Sequence, residues 1–186
     1  MKKKICIFGG SKTGKNKNIE DSAKMIGKII AENNFDLVFG AGETGIMGAA
    51  ASSAIKNGAK TTGIIPDFLI KHDLIDTKHS NDFNSELIIT NDMHERKRKM
   101  YNESNAFLIL PGGIGTLDEC FEVLTWCQLK QIKNKKIGII NFEGYWNPLL
   151  NLINHLINEE FMGEYNLNFF QVIENSDELK KFLKMI

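Results

Sequence analysis

Short apolar runs recur along this chain at 4–8, 36–40, 61–65, 86–90, 106–110 and 137–140. Between most of them lie stretches of helical periodicity, at about 18–33, 45–57, 93–104, 115–130 and 147–158. No other feature narrows the fold as far. Strand alternating with helix at this pitch predicts a parallel sheet covered by helices on both faces. After 159 the pattern predicts a short strand, Phe169 to Ile173, and a closing helix capped by Asn175 or Ser176. With no repeat, low-complexity tract or linker, the expectation is α/β, one doubly wound domain over residues 1–186.

In such a sheet, ligands bind at the carboxyl edge of the strands, where the strand order reverses. Several of the apolar runs end there in glycine or proline. The most telling is Ala106 to Leu110, which runs into Pro111-Gly112-Gly113-Ile114-Gly115-Thr116 and then a helical pattern. Glycines let bare backbone N–H groups approach an anion, and the new helix adds the positive end of its dipole. This is a phosphate cradle. Glu119 lies three residues past Thr116 and shares its helix face. A phosphate would repel that carboxylate, so Glu119 is expected to serve another part of the ligand, such as a sugar.

Two further glycine loops invite stronger readings than they carry. Gly9 to Asn16 comes within one residue of a P-loop, but Asn16 stands where a hydroxyl would hold magnesium. It reads as a polar turn or as a nucleotide-contacting loop of another kind. Gly40-Ala41-Gly42-Glu43-Thr44-Gly45 matches GxGxxG, yet it follows the second strand and lacks the acidic residue expected about 20 positions on. The small residues after it, Gly48 to Ala54, suit close helix–sheet packing. The fourth feature is a basic helix. Met93, Lys97 and Met100, with Arg96 alongside, fall on one face, which carries Arg96 or Lys97 toward the sheet edge. Arg98 and Lys99 belong to a solvated face. An inward cation needs an anion, and a phosphate or Glu119 would serve.

Composition removes other classes. The 23 Lys and Arg balance 23 Asp and Glu, so no global field recruits nucleic acid or an anionic membrane. The apolar run after Met1-Lys2-Lys3-Lys4 is too short for a signal peptide, and no stretch reaches membrane-spanning length. A cytoplasmic location is the default. Cys6, Cys120 and Cys127 have neither CxxC nor zinc spacing and read as reduced, buried thiols. His72, His79, His94 and His155 form no metal-binding pair, so no metal site is expected.

Taken together, Gly40 to Gly48, Met93 to Lys97 and Pro111 to Glu119 resemble the LOG ("Lonely guy") family of cytokinin riboside 5′-monophosphate phosphoribohydrolases, often mislabelled lysine decarboxylases. The similarity continues through Thr125 to Leu129 and Gly144 to Leu150, and covers roughly residues 5–155. The resemblance implies a Rossmann-like homodimer that hydrolyses the N-glycosidic bond of AMP or an N6-substituted AMP, without metal or cofactor. Products are the free base and ribose 5-phosphate. Arg96 and Glu119 match the catalytic pair. Ser11, Gly42, Met93, Lys97, Gly112, Gly113, Ile114, Gly115, Thr116 and Thr125 match substrate contacts. Ala41 stands where many members carry a glycine, a change expected to leave the turn intact. The segment after Pro66, Asp67 to Ile70, departs from the family pattern.

The chemistry suits these residues. Glycosidic cleavage passes through an oxocarbenium-like state, which a carboxylate stabilises or which a carboxylate-activated water attacks. Arg96 would either hold Glu119 ionised or bind ligand oxygens. Nothing identifies a Schiff-base lysine or a pyridinium partner for pyridoxal phosphate. Two alternatives come from other classes: a nucleotide or molybdenum-cofactor carrier without turnover, and a nucleic-acid binder using Arg96 to Lys99, which the balanced charge disfavours.

Overall fold

The computed structural model describes residues 2–71, 85–132 and 135–186; His72 and His79 lie outside them. In chain order the elements are β1 (Lys4–Phe8), α1 (Lys17–Glu32), β2 (Asp36–Phe39), α2 (Gly45–Lys56), β3 (Thr61–Pro66), α3 (Asp67–Lys71), β4 (Ser85–Thr90) and α4 (Met93–Glu103). There follow β5 (Ala106–Ile109), α5 (Ile114–Gln128), β6 (Lys136–Ile140), α6 (Asn147–Asn158), β7 (Phe170–Ile173) and α7 (Ser176–Lys184). The strand pattern read from sequence is present, including β7 and the Asn175 cap, whose side chain accepts from Asp177 N and Glu178 N. The short helix α3 was not expected, because five residues give no periodic signal.

All pairings are parallel and the strand order is β4-β3-β2-β1-β5-β6-β7. This is a doubly wound, Rossmann-like α/β sheet. The chain builds outward in both directions from β1 and β5, which pair from Ile5↔Ala106 to Phe8↔Ile109. Alternation along β1 shows how both faces are covered. Ile5 and Ile7 pack with α1, α2 and α7, while Cys6 and Phe8 pack with α4, α5 and α6. A fully buried large apolar side chain stabilises by roughly 2 kcal/mol, so a one-residue slip, which would exchange the faces, is strongly disfavoured.

The small residues of α2 do more than pack on the sheet. A Cβ on Gly27 of α1 would lie 2.0 Å from Ala50 O, so α1 and α2 approach almost backbone to backbone. No helix among the described residues is long and apolar enough to cross a membrane.

The strand-order reversal between β1 and β5 places the loops that follow them side by side. Gly10 N donates to Pro111 O at 3.0 Å, and Leu110 N to Phe8 O at 2.8 Å. Helix α1 leaves on one face and α5 on the other, which opens a crevice between their first turns.

Candidate active site

Helix α4 is fixed at its start by a reciprocal cap. Asp92 accepts from Glu95 N at 2.8 Å, and Glu95 Oε2 accepts from Asn91 N at 2.9 Å. One turn in, both Arg96 and Lys97 are buried, at 8% exposure each, as is Glu119 on α5. Sequence periodicity expected one inward cation; the structure turns in two and gives them different partners.

The Arg96 guanidinium is held from three sides. Its Nε donates to Ile64 O at the end of β3 at 3.1 Å, and Nη1 lies 3.3 Å from Glu119 Oε1 and 4.0 Å from Met93 Sδ. Gly40 makes room for it, since a Cβ there would lie 2.0 Å from Arg96 Nη2. The first glycine of the GxGxxG sequence is therefore a seat for a guanidinium, not a dinucleotide turn. Two further glycines of that loop make close contacts within the protein. Gly45 has φ +69° and presses on the Ser11 backbone, while a Cβ on Gly42 would meet Met47 Cε at 2.8 Å. Ala41 keeps the turn by adopting a left-handed φ of 62°.

Lys97 turns to α5 as well. Its Nζ lies 3.0 Å from Asp118 Oδ2 and 2.9 Å from Glu122 Oε2, and Tyr101 OH donates to the same Glu122 oxygen at 2.5 Å. Two charge pairs and a phenol thus bind α4 to α5. Burial alone would lower the Lys97 ammonium, but hydrogen bonds to Glu122 and Asp118 hold its pKa above the ordinary value. Sequence reasoning missed Tyr101, Asp118, Glu122 and the Ile64 carbonyl. The spacings Lys97–Tyr101 and Asp118–Glu122 are readable, but only the packing of the two helices makes them partners.

Glu119 behaves differently from the sequence expectation that Arg96 might hold it ionised. Burial pushes its carboxyl up to about 7, against the opposing pull of Arg96 and with a further push from Asp118. Desolvation wins because the site excludes water from almost all of the carboxyl, while the guanidinium approaches only one oxygen.

Above this pair lies the start of α5. Its cap, Gly113, has no side chain, and the first bond within the helix runs from Leu117 N to Gly113 O at 3.0 Å. The N–H groups of residues 114–116 precede that bond and have no partner within the helix. A Cβ on Gly113 or Gly115 would meet nothing within 4 Å, and neither has positive φ. Gly115 costs its helix about 1 kcal/mol relative to alanine, and no contact among the described residues accounts for that cost. What the two glycines leave open is approach from outside to the unpaired amides. Gly112 is different, since a Cβ there would lie 2.1 Å from Thr116 Oγ1, which packs against it.

The structure therefore brings Arg96, Glu119, Met93, Thr116 and Gly112 to Ile114 into one neighbourhood at the switch point. Ser11 lines the adjoining cleft. Thr125 is not brought there; it is exposed on the outward side of α5, about 14 Å along the helix from Thr116.

Fold and site together define a Rossmann-like protein with a bare, glycine-rich helix start over a buried arginine–carboxylate pair. The chain belongs to the LOG family: the family described as "Possible lysine decarboxylase" matches residues 47–183. It is 36% identical over 183 residues to the cytokinin riboside 5′-monophosphate phosphoribohydrolase LOG4 of Arabidopsis thaliana, covering 98% of this chain and 81% of that protein. To the probable cytokinin riboside 5′-monophosphate phosphoribohydrolase LOGL6 of Oryza sativa it is 39% identical over 161 residues, covering 87% of this chain and 62% of that protein. The chain thus spans less than two thirds of the rice relative's length. Among solved structures, the molybdenum cofactor carrier protein of Chlamydomonas reinhardtii superposes with TM-score 0.69 at 20% identity, over 99% of this chain and 97% of that one. That likeness is one of fold.

The word decarboxylase in the family description implies pyridoxal phosphate, and the described residues of the site do not fit it. A Schiff-base lysine needs a readily deprotonated amine. Lys97, the lysine beside Arg96, is ion-paired to two carboxylates and its pKa is raised. Lys135, whose pKa burial lowers, lies at the amino end of β6, across the sheet from the cradle.

Proposed function

We propose that this chain hydrolyses the N-glycosidic bond of AMP or an N6-substituted AMP, releasing the base and ribose 5-phosphate. One observation carries the reading: a buried carboxylate with its pKa near 7 lies one turn below an unoccluded glycine-rich helix start. The phosphate occupies the amides at the start of α5, and this binding remote from the reacting carbon positions the ribose over Glu119. Ionised Glu119 takes a proton from water as that water attacks C1′. The C1′–N9 bond breaks as C1′–O forms, and the base leaves with its electron pair and takes up the proton that Glu119 drew from the water. A base with pKa near the working pH is suited to the task. Asp118 and Glu122 are engaged by Lys97, so Glu119 acts as the one reacting carboxylate. Arg96 holds it in place. In this reading Lys97 serves the site by bracing α5, with Met93, Ser11 and Gly112 to Thr116 lining the ligand.

We further infer a cytoplasmic homodimer built on a single nucleotide-binding domain over residues 1–186. Ile114, at 84% exposure, and Phe121 form an outward apolar stripe on α5, beside the cradle. A second copy seated there would cover them and bring Thr125 toward a neighbouring site. Cys6, Cys120 and Cys127 are free, as in a reducing compartment.

The test is incubation of the purified protein with AMP and, separately, N6-isopentenyl-AMP, with products resolved by chromatography. Free base with ribose 5-phosphate is the expected result, abolished in Glu119→Gln. Binding of AMP without release of base from either nucleotide would refute turnover and favour a carrier.

A further inference from the structure

The loop Gly9 to Asn16 is hardly used by the reading above, yet it walls a cleft of about 540 Å³. Gly112 and Gly113, at the start of α5, also line it, together with Glu143, Tyr145 and the apolar Ile19 and Ile46. The cleft thus continues directly from the cradle. Lys12 and Lys15 line it, and neither forms an ion pair among the described residues. Glu143 is the carboxylate of the lining, so two cations face one anion there. The Tyr145 hydroxyl is already used, donating to Gly112 O at 2.7 Å.

Asn16 decides which anion fits. In a P-loop this position holds magnesium through a hydroxyl. Here its side-chain oxygen accepts from Asn18 N at 3.0 Å and caps α1. The oxygen is occupied by the helix, and the cleft offers ammonium groups rather than a seat for a metal–nucleotide complex.

We propose that this cleft is a second anion subsite, and that it extends the ligand class from nucleoside 5′-monophosphates to nucleoside 5′-diphosphates, bound without metal and in competition with the monophosphate. The proposal rests on the nucleotide reading of the α5 cradle. With the first phosphate on the α5 amides, the second reaches the Lys12 and Lys15 side. Glu143 opposes that charge, which limits the gain.

The experiment is calorimetric titration of the full chain with AMP, ADP and inorganic pyrophosphate in the presence of EDTA. The Glu119→Gln background keeps the nucleotides intact, and inhibition of AMP hydrolysis by ADP in the wild-type protein provides a check independent of that variant. ADP is expected to bind about tenfold tighter than AMP, the sum of two solvent-exposed charge contacts. The preference should shrink as salt is raised. In Lys12→Ala/Lys15→Ala it should fall to within about twofold, whichever way AMP affinity itself moves; Glu143→Gln should widen it. Equal binding of AMP and ADP, or a preference that survives the double substitution, overturns the proposal. If AMP does not bind while pyrophosphate does, in a lysine-dependent way, the cleft stands and the nucleotide reading of the cradle falls. Failure of all three ligands overturns both.

Discussion

Replacing Glu119 by glutamine removes a titration while keeping the shape, and its effect on stability can be worked from the site. In the folded chain burial holds the carboxyl at about 7, against an ordinary value of 4.5. Below 4.5 both folded and unfolded states carry the proton, and the group contributes nothing to the pH dependence. Between 4.5 and 7 the unfolded chain has lost the proton and the folded chain retains it. Stability therefore falls as pH rises through this window. The shift of about 2.5 units corresponds to about 3 kcal/mol. Above 7 both states are ionised and the deficit is constant. Glu119→Gln abolishes the decline, so variant minus wild-type stability should grow by about 3 kcal/mol from pH 4.5 to pH 7.5, or roughly 6–12 °C in Tm for a domain of this size. The attraction between Arg96 and the ionised carboxylate is already contained in that shift, so the loss of the anion in the variant needs no separate allowance. Urea unfolding at half-unit pH steps measures the difference. A difference that stays flat from pH 4 to pH 8 would show that Glu119 ionises normally, and the argument that desolvation outweighs Arg96 would fail.

The same titration sets the activity. If Glu119 acts as the base, kcat should rise about tenfold per pH unit below 7 and level off above it, and a rate that falls over that range would make it an acid instead. Gly40→Ala should leave the fold intact but push the guanidinium off its seat and lower kcat on the order of a hundredfold, measured against an unchanged thermal melt. Gly115→Ala should move stability and binding in opposite directions. It should gain up to about 1 kcal/mol in unfolding measurements and raise KM for the nucleotide; a lower KM would mean that open space there serves no ligand.

Much of this was legible in the chain. Apolar runs of strand length, alternating with helical periodicity, gave the parallel sheet, because both signals are local and each side chain's face is set by the period of its own element. The glycine sequence from Gly112 to Gly115 marked the bare start of α5 for the same reason, since such a start is a property of a few consecutive residues. The inward face of α4 was visible too, though not that both Arg96 and Lys97 would turn in. The short helix α3 was invisible, being too brief for any period to show.

The order and type of the elements, the edge where loops gather, and the residue types available there are thus written locally in the chain. Pairing belongs to the tertiary structure. Gly40 and Arg96 are far apart in sequence, and only the packing of α4 against the ends of β2 and β3 shows that one glycine exists to seat one guanidinium. The Lys97–Glu122–Tyr101 contact is equally non-local. The sign of the Glu119 shift had to wait for the fold as well. Sequence places an opposite charge nearby, which lowers a carboxylate's pKa, but only the three-dimensional enclosure decides how much water is lost, and here that loss is the larger effect.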